Sequence, residues 1–84
     1  MLPEVLKPLE EIANNLWLSW NYDAVQLFIR LDYDSWLLSH QSPVRILGMV
    51  SQERLTQAAA DDSYLAALKE VNDRFQRYKK GETW

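Results

Sequence analysis

Chemistry needs a base, a nucleophile, a metal ligand set or an aromatic platform, and this 84-residue sequence is sparing with most of them. His40 is its one histidine. Placed near an expected helix end and without a second titratable partner in register, it reads as a capping or packing residue rather than a general base. The paired carboxylates Asp32/Asp34 and Asp61/Asp62 stand where helices begin, where a carboxylate caps free N–H groups and meets the positive end of the helix dipole. No cysteine is present, which removes thiol chemistry, disulfides and thiolate metal sites. The two glycines, Gly48 and Gly81, stand too far apart for a phosphate-cradling loop. What remains is aromatic. Trp17, Trp20 and Trp36 offer faces on which a sugar ring could stack, but all three fall on expected inward faces, where large aromatics normally build a small core.

The elements that would position these residues are all helical. Pro8 suits the first position of a long helix, with Glu10 and Glu11 favouring its positive end and Pro3 opening an earlier turn. Around that helix Val5, Leu9, Ile12, Ala13, Leu16, Trp17 and Trp20 make one face. Lys7, Glu11, Asn14, Asn15 and the exceptional Leu18 make the other. Asn21 caps a second helix to about Leu31. Its polar strip Asp23, Gln26 and Arg30 leaves one apolar side of Ala24, Leu27, Phe28 and Leu31, and another of Tyr22, Val25 and Ile29, so it is expected to be covered on two sides.

Asp32 caps a short third helix with Tyr33, Trp36 and Leu37, and Ser42-Pro43 starts a fourth with Val44, Ile46, Leu47 and Val50. Ser51 caps a fifth through Leu55, Ala58 and Ala59. Asp61 or Asp62 caps the last. There Tyr64, Leu65, Leu68, Val71, Phe75 and Tyr78 share a face, Glu70/Arg74 and Asp73/Arg77 stand at i,i+4 spacing, and Gly81 ends the helix. The basic turn Arg74, Arg77, Lys79 and Lys80 reads as a solvated end favoured by the dipole. The expected architecture is all-α, a compact bundle of about five to six short helices in a single domain over residues 1–84.

Composition bounds the function. At 48% hydrophobic with four Trp, four Tyr and two Phe, the chain can build a core despite its size. A net charge of −3 argues against a nucleic-acid partner. The outline of a helix-turn-helix over 51–72 lacks the basic and amide side chains of a recognition helix. Neither a signal peptide nor a run near the ~20 apolar residues of a membrane span is present, and the lack of cysteine fits the cytoplasm. Leu18, Tyr22, Val25 and Ile29 continue one another across the Asn21 junction and suit either a docking patch or burial within the bundle.

The order of residues adds a resemblance. Pro8-Leu9-Glu10-Glu11-Ile12-Ala13-Asn14-Asn15-Leu16-Trp17-Leu18-Ser19-Trp20-Asn21, followed by Leu27-Phe28, Leu31-Asp32, Trp36, Pro43-Val44, Leu47, Glu53-Arg54-Leu55, Asp61, Phe75 and Thr83-Trp84, resembles the N-terminal helical domain of bacterial and archaeal α-glucan (glycogen, starch or maltodextrin) phosphorylases. The Asn-Leu-Trp-x-Ser-Trp core is its most specific part. Leu18 stands where the family commonly has another tryptophan, and Gln41-Ser42 replaces the usual asparagine before proline. The resemblance implies a parent enzyme that cleaves α-1,4-glucan reversibly with phosphate to glucose 1-phosphate, using pyridoxal phosphate on a lysine. Its catalytic domains would lie downstream, so no catalytic or cofactor residue transfers to this segment. The expectation is an N-terminal fragment of a larger chain, accessory in role, whose partners are the parent's catalytic domains or another subunit. A glucan-binding module using Trp17, Trp20 or Trp36, and a stand-alone helical interaction protein, are the alternatives.

Overall fold

A computed structural model describes residues 2–16, 22–31 and 47–83, with nothing said of the side chains of Leu16 and Tyr22. The expected helix over 32–41 and the Ser42-Pro43 start therefore lie outside the described residues, as do the Asn21 cap and Trp84. The described elements are helical: a 3-10 turn Glu4–Leu6, α1 (Lys7–Leu16), α2 (Tyr22–Leu31), α3 (Gln52–Ala59) and α4 (Asp62–Lys79), with a further helical turn at 47–49. No strand occurs among them, and the molecule is all-α.

The N-terminus differs from the sequence reading in one respect. Pro8 does not open α1 but sits inside its first turn, because the 3-10 turn runs straight into Lys7. Lys7 N–H donates to the Glu4 carbonyl, and Pro8, which has no N–H, sits where none is required. The tighter period shifts the inward side chain from Val5 to Leu6. Leu6 is fully buried, whereas Val5 is 52% exposed.

The two later starts follow the capping logic. Ser51 Oγ accepts from Arg54 N–H at 3.1 Å, and Asp61 Oδ1 accepts from Tyr64 N–H at 3.0 Å, so Asp61 is the cap and Asp62 lies in the first turn. At the far end Gly81 takes φ +95°, Gly81 N–H donates to the Tyr78 carbonyl at 2.9 Å and Glu82 N–H to that of Arg77 at 3.2 Å. This pair of bonds satisfies two of the last helical carbonyls, and the left-handed residue between them favours glycine. Asp61→Ala is expected to cost about 1 kcal/mol by removing the α4 cap. Urea unfolding checks it, and a change below about 0.3 kcal/mol would show that the cap is dispensable.

α4 packs against α1, α2 and α3 and is the centre of the described bundle. Its Tyr64, Leu68, Val71 and Phe75 meet Leu9, Ile12 and Ala13 of α1, Ala24, Leu27, Phe28 and Leu31 of α2, and Leu55 and Ala58 of α3 in one buried cluster. Leu47 and Val50 join it. Tyr78, assigned to the same face by periodicity, is 44% exposed because it lies a turn beyond the last buried residue, Phe75. The Cα radius of gyration, 12.1 Å, agrees with the roughly 12 Å expected for a folded chain of this length.

Ion pairs lace the helices at the surface. Arg74 of α4 reaches Asp23 of α2 and also Glu70, one turn back, at 3.5 Å. Lys79 Nζ lies 2.6 Å from Glu11 Oε1 of α1 and 5.2 Å from the centre of the Phe75 ring. Half of the basic turn is thus tied to neighbouring helices rather than simply solvated. Among the described residues Asp73 and Arg77 do not close the pair their spacing allows. The partners across helices are one-third to one-half exposed and Glu70 more so, so each pair adds only a few tenths of a kcal/mol, roughly, and helps set register more than stability.

Candidate functional site

α2 holds the residues on which a functional reading can be tested. Its first apolar side behaves as periodicity requires: Ala24, Leu27, Phe28 and Leu31 are all at most 3% exposed. Its second side presents Val25 and Ile29, both half-buried, one turn apart. They are neither sealed in the core nor fully offered to solvent. Tyr22 belongs to the same helix. Leu18 lies outside the described residues, as do Trp17, Trp20, Trp36 and His40. Of the four proposed docking residues, the side chains described are those of Val25 and Ile29, and these share one side of α2.

The C-terminal end of α2 is built by a residue that periodicity does not single out. Arg54, in the first turn of α3, donates from Nε to the Leu31 carbonyl at 2.7 Å and from Nη2 to the Arg30 carbonyl. One guanidinium therefore satisfies two carbonyls that a helix end leaves open, and its charge sits where the dipole is negative. No sequence signal marks this partnership, since 23 and 24 residues separate the groups.

Beside that clamp lies a cleft of about 470 Å³ between the end of α2, α3 and the start of α4. Ile29, Arg30, Arg54, Asp61, Ser63 and Tyr64 line it. Tyr64 is 3% exposed and its hydroxyl has no hydrogen-bond partner. Burial pushes its phenol above the ordinary value, while the Arg30 and Arg54 charges act in the opposite direction. A second, more apolar groove of about 310 Å³ runs past Leu2, Leu47, Val50 and Leu55, with Glu10 and Gln52 at its rim. Among the described residues, neither cleft carries a nucleophile and base in contact. Among the described residues, no group of three or more His, Cys, Asp or Glu could hold a metal ion, and no helix is long and apolar enough to cross a membrane.

Comparison with known proteins places this arrangement in a family. Residues 2–84 match the profile described as "Protein of unknown function (DUF3417)". The chain is a member of the DUF3417 family. The DUF3417 chain is 36% identical over 84 residues to the maltodextrin phosphorylase of Thermococcus litoralis, covering 99% of itself and 10% of that protein. It is 34% identical over 83 residues to the glycogen phosphorylases of Mycobacterium tuberculosis and Mycobacterium bovis, again covering 99% of itself and 10% of the relative. The matched part is their N-terminal region. The DUF3417 chain thus spans about a tenth of the length of these relatives, and no solved structure matches it.

Proposed function

We propose that this chain is the accessory N-terminal domain of an α-glucan phosphorylase, an enzyme of reversible α-1,4-glucan phosphorolysis to glucose 1-phosphate, and that it serves docking or assembly. The reading is carried by the match over 99% of the chain to a region that makes up 10% of a maltodextrin phosphorylase. The partner is the parent's catalytic body or another subunit. Val25 and Ile29 support the α2 side as the contact, since half-buried aliphatic side chains have apolar area left to cover.

Pyridoxal phosphate, which the resemblance assigns to the parent, requires an imine-forming lysine enclosed away from water. The four lysines of this chain, Lys7, Lys69, Lys79 and Lys80, are all exposed, so these residues do not fit that group. Chemistry belongs to the parent's other domains, in this reading.

The test is made in the full-length phosphorylase carrying this domain. Val25→Lys together with Ile29→Lys is expected to weaken domain association or subunit assembly by roughly tenfold or more, because a buried apolar contact becomes a desolvated charge. Sedimentation measures assembly, and melting of the isolated domain shows whether the variant still folds. Should it not fold, Val25→Ser with Ile29→Ser replaces it. Unchanged oligomer size, stability and activity would overturn the docking role. Saturable amide shifts of this chain on adding maltoheptaose would point instead to glucan capture.

A further inference from the structure

We propose that the cleft bounded by Arg30, Arg54, Ser63 and Tyr64 binds a small oxyanion of the phosphate class, at a site that adjoins the α2 docking side through Ile29 but is tested separately from it. Four observations converge there. Arg30 lines the cleft with an exposed guanidinium that makes no ion pair or hydrogen bond among the described residues. Arg54 lines it too, its plane fixed by the carbonyls of Arg30 and Leu31. Carbonyls orient the guanidinium without neutralising it, so its charge is still available to an anion.

The third observation is the Tyr64 hydroxyl, buried and without an acceptor, a state that folded proteins rarely leave unanswered. Tyr64 lines the same cleft as both arginines. An oxyanion supplies the acceptor it lacks. The oxygen has no accessible surface, so an ion reaches it only if the cleft wall gives locally. Finally, Ser63 adds a hydroxyl and Gln57 an amide, both on the cleft wall. One carboxylate opposes them, Asp61, and one of its oxygens is already held by Tyr64 N–H. Two guanidiniums against one carboxylate leave the cleft positive on a chain whose net charge is −3.

The experiment is an amide NMR titration of the 84-residue chain with inorganic phosphate, with sodium chloride at matched ionic strength as reference. Glycerol phosphate is titrated in parallel. Saturable shifts at Ser63 and Tyr64, with a midpoint in the millimolar range, are expected. Arg30→Gln is expected to raise that midpoint about tenfold through the loss of a charge-assisted contact. Tyr64→Phe, which removes an unpartnered hydroxyl and leaves the core ring in place, is expected to raise it about threefold. Tighter binding of glycerol phosphate would identify the ligand as a phosphomonoester, and tighter binding of phosphate would identify the free ion. The proposal fails if the shifts follow ionic strength alone, or if wild type, Arg30→Gln and Tyr64→Phe respond alike.

Discussion

Phe75→Ala is expected to lower the free energy of unfolding by about 3–5 kcal/mol, among the largest losses expected at the described residues. Phe75 is 1% exposed on α4, the helix against which the other three described helices pack, and belongs to the one buried cluster they share. Truncation removes the ring's transfer free energy and leaves a cavity that neighbours on several helices cannot all close at once. Domains of this size have only about 5–15 kcal/mol in total, so the variant should be largely unfolded or nearly so at body temperature. Urea unfolding followed by tryptophan fluorescence measures it. Tyr78→Ala, at a position 44% exposed, is the comparison. A loss at Phe75 no larger than the loss at Tyr78 would mean that α4 is not the centre of the fold.

Arg54→Met is expected to cost about 1.5–3 kcal/mol, the range for a hydrogen bond to a charged group. The lost interactions are the Nε bond to the Leu31 carbonyl at 2.7 Å and the Nη2 bond to the Arg30 carbonyl. Methionine keeps much of the stem and its packing, so the difference isolates the guanidinium. Arg54→Lys retains the charge at the negative end of α2 but not the fork that spans two successive carbonyls, and should recover only part of the loss. Amide exchange adds a local readout. The last turn of α2 should exchange faster in Arg54→Met while the middle of α4 follows global stability alone. A loss under about 0.5 kcal/mol with unchanged exchange would relegate Arg54 to an ordinary surface contact.

The difference between these two residues explains how much could be read in advance. Phe75 is visible in the sequence because Tyr64, Leu68, Val71 and Phe75 recur at helical spacing, and periodicity is a local property of the chain. The caps at Ser51 and Asp61 are visible for the same reason, since donor and acceptor lie three residues apart. Arg54 is invisible because its acceptors are backbone carbonyls 23 and 24 residues away, and every residue has a carbonyl. Val5 is exposed against its periodicity because a 3-10 turn and an α-helix assign the inward position to different residues, Leu6 in the first case and Val5 in the second. Periodicity puts Val25 and Ile29 on the second side of α2, but only packing could leave them half-covered.

By itself, then, the sequence determined the all-α class, the capped start at Ser51 and a cap at Asp61 or Asp62, the Gly81 stop and the inward faces of α2 and α4. It also carried the phosphorylase kinship, because residue order is preserved along the chain. These properties depend on groups within about one helical turn or on the order of the residues. The tertiary structure decided the rest: α4 as the centre, the Arg54 clamp on α2, the pairs Arg74–Asp23 and Lys79–Glu11, and the cleft around Tyr64. Each of these joins groups more than twenty residues apart, or elements brought side by side only by packing, and their meeting is fixed by how buried faces fit together rather than by any local preference.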